Sequence, residues 1–270
     1  MKKSVLLTLV FALALGIGAT FYYFSLPKNA REQLEYAQSL ENDFSQSKGD
    51  LTPESRDAFK EKVLKAYQQV ETFPQDVFYD DALYGIGKFH KQNEDLPLAL
   101  EVFLDFEKRF EKSELLEKVR EEIIFLYSTL EKWKELLEYY EKFVQAHPKS
   151  PLKVDYLFHS AKIIKNNLPQ SPPIKKINAF KRVVEVEKQE ISDPFSRKYS
   201  PECLWEIALI YESISEEREA VPFLEELVKD YPNSEYTTKA LLKKGRLLAE
   251  KLERPEEGNK RSRRTQTPTP

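Results

Sequence analysis

A turn recurs along this chain at a fixed interval, and that interval restricts the possible folds more than any other feature. The tetrapeptides Phe73-Pro74-Gln75-Asp76, Phe110-Glu111-Lys112-Ser113, His147-Pro148-Lys149-Ser150 and Tyr231-Pro232-Asn233-Ser234 each close an apolar-periodic stretch. Pro74 to Glu111 is 37 residues, Glu111 to Pro148 is 37, and Pro148 to Pro232 is 84, which is two units sharing ten extra residues. Between the turns, apolar side chains return at three- and four-residue steps without sustained strand-type alternation, so the segments read as helices. Two helices per unit of about 34–37 residues cannot bury an apolar face alone; stacking the units buries a continuous core.

The internal pattern of the units repeats as well. One carries Leu83, Ile86-Gly87, His90, Ala99, Phe103 and Phe106; another carries Leu204, Ile207-Ala208, Tyr211, Ala220, Leu224, Leu227 and Pro232 at the same spacing. Gly87 and Ala99 are expected where the two helices of a hairpin approach most closely. A copy between them keeps Ile123, Tyr127, Tyr140, Phe143 and Pro148 but has Ile124 and Leu136 where small residues are expected. The next begins with Leu157, Ala161 and Ile164, is interrupted over Asn166–Pro173, and resumes about six residues late with Ala179, Val183 and Val186; four further residues near Asp193-Pro194 complete the surplus of ten. Upstream, Phe59, Val63, Ala66, Tyr67 and Val70 share one face of a helix opened by Thr52 as N-cap and Pro53 at its first position. Ala30–Ser45 reads as an N-terminal helix. Tyr236–Leu252, carrying Gly245, reads as a closing helix whose outer face is charged by Lys239, Lys243, Lys244, Arg246 and Glu250.

This order of residues closely resembles the tetratricopeptide repeat, over about three quarters of the chain. The resemblance implies an all-α, right-handed solenoid of helical hairpins. The turn Tyr231-Pro232-Asn233-Ser234-Glu235-Tyr236, followed by Ala240 and Gly245, is similar to that of bacterial envelope proteins, among them the outer-membrane assembly lipoproteins and the Tol-Pal coordinators. A membrane span followed by such repeats also looks like the ancillary translocon subunit with periplasmic repeats. What carries over is an envelope scaffold.

Lys2 and Lys3 precede an uncharged run from Ser4 to Leu26. As a helix, its 23 residues reach about 35 Å, enough for a hydrocarbon core of about 30 Å. A cleavable signal peptide ending at Ile17-Gly18-Ala19 is the rival reading. The run continues, however, into Phe21-Tyr22-Tyr23-Phe24, an aromatic cluster suited to a membrane interface, which favours an uncleaved anchor. No cysteine precedes Cys203, so the lipid-attachment cysteine of the lipoprotein members is not found. The expected organisation is an inner-membrane signal anchor over residues 1–27, a helix and linker over 28–51, repeats over 52–254 on the periplasmic side, and a polar basic tail over 255–270.

The remaining composition excludes several chemistries. With 42 Lys+Arg against 45 Asp+Glu, the net charge is −3, and no nucleic-acid partner is expected. Seven glycines, one cysteine and three histidines supply no phosphate loop, no disulfide and no zinc-like spacing, so neither cofactor nor metal is expected. Cys203, beside Leu204 and Trp205, reads as a buried structural thiol. No nucleophile-base motif is present, and Asp80-Asp81 and Glu216-Glu217 read as solvated surface, so no catalytic residue or small-molecule substrate is assigned.

Repeats of this family resemble adaptors that hold a peptide or partner helix along the first helices of successive pairs. Projected onto this chain, the implied face carries Tyr84, Phe158 and Trp205, each one place after a leading leucine, and one turn on Lys88, Phe125, Lys162 and Leu209. Aromatic anchors with lysines would suit an extended protein segment with acidic groups. The expected function is a membrane-anchored, non-catalytic scaffold. A holdase for exported chains, using the same face with little sequence preference, is the alternative.

Overall fold

The computed structural model describes residues 27–73 and 76–253. Among these residues there are eleven α-helices and no strand: α1 (Ala30–Ser47), α2 (Pro53–Gln68), α3 (Tyr79–Gln92), α4 (Leu96–Arg109), α5 (Leu116–Thr129), α6 (Trp133–Ala146), α7 (Lys153–Asn166), α8 (Pro173–Glu190), α9 (Ser200–Ser213), α10 (Glu217–Asp230) and α11 (Glu235–Glu253). None of them is long and apolar enough to cross a membrane. The anchor expected from Ser4 to Leu26 and the tail over 255–270 lie outside the described residues. The chain divides into two compact units between Lys132 and Trp133, inside the copy whose Ile124 and Leu136 replace small residues.

In the first unit, hairpin packing begins earlier than Thr52, because α1 already pairs with α2. Asn29 caps α1 by accepting from Glu32 N–H at 2.9 Å, and Thr52 caps α2 by accepting from Ser55 N–H at 3.3 Å. Buried Gln33 donates to the Ala66 carbonyl at 2.8 Å, satisfying a backbone acceptor near the end of α2. Phe44 meets Phe59 and Phe89 edge-on, both at 5.5 Å between centroids. Such contacts add about 0.5–1.5 kcal/mol each to simple area burial. Gly85 and Gly87 allow α3 to approach both neighbours: a Cβ at Gly85 would stand 2.5 Å from the Tyr67 ring, and one at Gly87 2.5 Å from the Phe103 ring.

The second unit builds α7–α8 and α9–α10 as hairpins, flanked by α6 and α11. Helix α8 presents Ile177, Phe180, Val183 and Val184 to the core, not the Ala179 and Val186 expected from sequence, both of which are half-buried. The helix starts at Pro173, and steps of three and four residues from Ile177 run to Glu187, so the stripe is rotated. Glu187 is buried at the end of that stripe for a reason. Its carboxylate accepts from Tyr199 N–H at 2.9 Å and from Ser200 N–H and Oγ at 2.6 Å each, capping the start of α9 across the Asp193-Pro194 insertion. Orphan donors and the positive end of the α9 dipole thereby hold a buried charge.

Three hairpin turns share one backbone device. Glu94, Glu131 and Ser215 adopt φ of 63°, 53° and 59°, each four residues after His90, Tyr127 or Tyr211. The following amide then donates back to that residue: Asp95 to His90 O at 3.0 Å, Lys132 to Tyr127 O at 2.9 Å and Glu216 to Tyr211 O at 2.9 Å. These left-handed helix ends satisfy orphan carbonyls with residues other than glycine, consistent with a chain holding only seven glycines.

Helix α11 departs from the expected closing helix. Lys243 and Arg246 turn back to Glu212, and Lys244 lies 3.0 Å from Glu225. Leu241, Leu242 and Leu248 face outward instead.

Three substitutions test this packing and capping. Gly87→Ala is expected to destabilise by about 1–3 kcal/mol, since the buried Phe103 ring must move, whereas Gly245→Ala, with nothing within 4 Å of its Cβ, is expected to stabilise by up to about 1 kcal/mol. Urea midpoints moving in opposite directions would bear this out. Glu187→Gln places an amide donor among three donors, and we expect a loss of about 2–3 kcal/mol; an unchanged midpoint would mean the carboxylate does not cap α9.

Candidate partner-binding face

In each unit the first helices of successive pairs are joined by an ion pair at one repeated position. Lys91 of α3 lies 2.6 Å from Glu122 of α5. Lys165 of α7 pairs with Glu206 of α9, and Glu212 of α9 with Lys243 of α11. The sequence separations are 31, 41 and 31, the middle one enlarged by the ten inserted residues. In the last pair acid and base exchange helices, so the position demands opposite charge rather than a particular residue. Partly buried pairs of this type hold the two helices in register more than they add stability.

The predicted site residues lie on these same helices. In the first unit, Lys88 Nζ stands 5.8 Å from the centroid of the half-buried Tyr84 ring, which packs 5.9 Å from Phe103. Burial, with Glu122 and Glu121 nearby, raises the Tyr84 phenol pKa. Lys88 itself is exposed, and among the described residues no carboxylate lies within 4.0 Å of it. At the place from which an acid could reach it the next copy carries Lys118. Phe125 is 49% exposed, and Lys91 Nζ stands 4.5 Å over its ring while also holding Glu122. This is an apolar ring set beside a fixed cation on an accessible helix face.

In the second unit the same positions are more enclosed. Phe158 is 7% exposed, stacked on Tyr199 at 4.2 Å with an interplanar angle of 18°. Lys162 lies 5.7 Å over the Phe158 ring, 2.6 Å from Glu202 and 3.7 Å from Glu206. Burial opposes its charge, but the hydrogen bond and charge of Glu202, with Glu206 behind, hold the Lys162 ammonium above the usual lysine value. The attraction for acidic groups expected of Lys162 is thus met within the chain. Trp205 is half-buried between Tyr236, 6.4 Å away, and Lys243, 5.6 Å over its ring; Leu209 follows one turn later, also half-buried. The structure therefore joins Tyr84 with Lys88, Phe158 with Lys162, and Trp205 with Lys243.

Sequence reasoning placed these side chains on the right helices but missed the glutamates that partner them. The signal was available in the separation of 31 residues, provided the ten-residue surplus was subtracted. Cys203 is fully buried, and burial with nearby Glu187 pushes its thiol pKa well up, as suits a structural residue. Among the described residues no three His, Cys, Asp or Glu side chains are grouped to hold a metal ion.

The chain is similar to BtubC (BKLC) from P. vanneervenii, at 13% identity over 90% of this chain and 96% of that one, with a TM-score of 0.43. It is also similar to the kinesin light chain TPR-like repeats of Podosopora anserina, at 13% identity over 74% and 93% and a TM-score of 0.42. MamA from Desulfovibrio magneticus RS-1 is similar at 13% identity over 74% and 97%, with a TM-score of 0.39. No curated protein matches the sequence. Residues 76–256, which take in every helix from α3 to α11, match the family described as outer membrane lipoprotein, YfiO. That match spans well over half of the sequence: the chain belongs to the tetratricopeptide-like YfiO outer membrane lipoprotein family.

Proposed function

We propose that this protein is a non-catalytic scaffold of the bacterial cell envelope, tethered to the inner membrane by its apolar N-terminal run, with the hairpins on the periplasmic side recruiting a protein partner. Membership of an outer membrane lipoprotein family supports the envelope setting. The one cysteine of the sequence is buried in α9 and cannot carry a lipid, so the Ser4–Leu26 run is the segment suited to membrane attachment.

The observation that carries the binding role is Phe125, a half-exposed ring beside Lys91, with Lys88, exposed and facing no carboxylate within 4.0 Å among the described residues, on the same helix as Lys91. A side chain of the partner could cover the ring while an acidic group meets Lys88. Tyr84 and Trp205, each half-buried, extend the apolar surface of their own units, together with Leu209. Phe158 and Lys162 form the floor, each held by its own neighbours.

The test is photocrosslinking in cells from a probe at Phe125. A scaffold gives one or two discrete stoichiometric products, and Phe125→Ala weakens capture about tenfold, as expected for a contact of about 1.4 kcal/mol. Because the ring is half-exposed, the melting temperature of that variant should stay within a degree or so of the parent's. Trp205→Ala should lower it as well as capture, since Lys243 and Tyr236 pack on that ring. A continuous smear of exported chains, with suppression of aggregation in vitro, would favour a holdase instead.

A further inference from the structure

The hairpin of α7 and α8 is longer than the other hairpins, and the extra chain lies at one end of it. From the leading leucine of the first helix to the matching core residue of the second is 20 residues in Leu83–Phe103 and Leu204–Leu224, but 26 in Leu157–Val183. Half of the surplus lengthens the turn, which takes Asn167–Pro172 where the turns after α3 and α9 take three residues. The other half lengthens α8: Val183 stands ten residues after the helix start at Pro173, against seven for Phe103 in α4 and Leu224 in α10. Three residues of helix carry the tip about 4.5 Å further along the hairpin axis.

This tip exposes apolar and basic groups. Pro169, Pro172 and Pro173 are exposed, Ile174 is 58% exposed, and Lys175 beside it is exposed as well. Lys176 donates to the Pro169 carbonyl at 3.3 Å, and among the described residues neither Lys175 nor Lys176 has a carboxylate within 4.0 Å. No Asp or Glu occurs between Asp155 and Glu185. The backbone of the tip is closed on itself. Its prolines have no N–H, Asn167 and Leu168 donate to the Ile163 carbonyl at 2.9 and 3.2 Å, and Ser171 donates to the Leu168 carbonyl at 2.9 Å.

We infer that this tip docks on a bilayer surface containing anionic phospholipid, with Ile174 and the prolines in the interface and Lys175 and Lys176 level with the headgroup phosphates. The inference rests on the membrane tether proposed above, which keeps the chain at a bilayer. A backbone whose donors are satisfied internally can leave water at little cost in hydrogen bonds. An apolar apex flanked by lysines that no carboxylate of the chain engages is attracted to an anionic interface through both apolar burial and charge. The turn between α9 and α10 is shorter and carries Glu216, Glu217 and Glu219 near Arg218, so the basic tip alone is suited to the contact.

The test uses the full chain with phosphatidylcholine vesicles, either pure or containing about 30% phosphatidylglycerol. Ile174→Cys carries an environment-sensitive dye, while Cys203, fully buried, stays unlabelled. Co-flotation with the vesicles reports the tether, and quenching of the dye by brominated lipid reports the tip. Quenching is expected with phosphatidylglycerol present, and should fall at least about threefold in pure phosphatidylcholine or at about 0.5 M salt. Lys175→Glu with Lys176→Glu should reduce it by at least about as much while the melting temperature holds, since both side chains lie outside the core. A dye on Arg218→Cys, in the neighbouring turn, should stay unquenched. A chain that floats without quenching at position 174 overturns this inference alone and leaves the tip to an acidic protein. Equal quenching in pure phosphatidylcholine, or in the double variant, overturns it too. A chain that does not float overturns the tether and the inference together.

Discussion

Close approach of helices at small residues is the constraint on which the described structure depends. A hairpin brings two helix axes to within about 8–10 Å only when one of them yields space. Here Gly87 yields to Phe103, and Gly85, two residues earlier, yields to Tyr67 on the other side of α3. One helix therefore packs tightly against both of its neighbours. Ala161 and Ala208 hold the corresponding places in the second unit, both fully buried. The division of the chain falls within the copy whose Ile124 and Leu136 depart from this rule.

Polar groups do a different task. The buried Glu187 satisfies the first donors of α9, and Gln33 an acceptor of α2; both close helix ends that would otherwise be orphaned inside the protein. The repeated Lys–Glu pairs between first helices fix how those helices line up, and their reversal at Glu212–Lys243 keeps the register while exchanging the charges. The charge of Lys162 is met by Glu202, whereas among the described residues no carboxylate lies within 4.0 Å of Lys88, and Lys118 stands at the repeat position that Glu202 holds. Two lysines alike in sequence thus differ in what they can offer a ligand.

Much of the fold was legible from one dimension. The 37-residue spacing, the Thr52-Pro53 start, the small residue at Gly87 and the late start of α8 all reflect local backbone rules or a period, and both are written into residue order. The site was legible only as helix faces. A register places Tyr84, Phe125, Phe158 and Trp205 on first helices, but their exposure is decided by what arrives from other helices: Tyr199 covers Phe158, while Phe125 is left half-open with Lys91 above it.

The sequence by itself determined that this chain is a series of helical hairpins, where the hairpin turns recur and how α2 begins, because these follow from periodicity and capping within a few residues; the apolar stripe of α8 and the outer face of α11 it did not place correctly. Only the tertiary structure decided which charges are spent on neighbours and which faces remain open. Glu187 is buried at the end of the α8 stripe because Tyr199 and Ser200 donate to it. Lys243 and Lys244 read as the soluble face of α11 until they turn inward to Glu212 and Glu225, leaving the Leu241–Gly245–Leu248 stripe outward. The reason is physical: pairing and desolvation depend on atoms brought together from 12 to 41 residues away, and no local pattern specifies those distances.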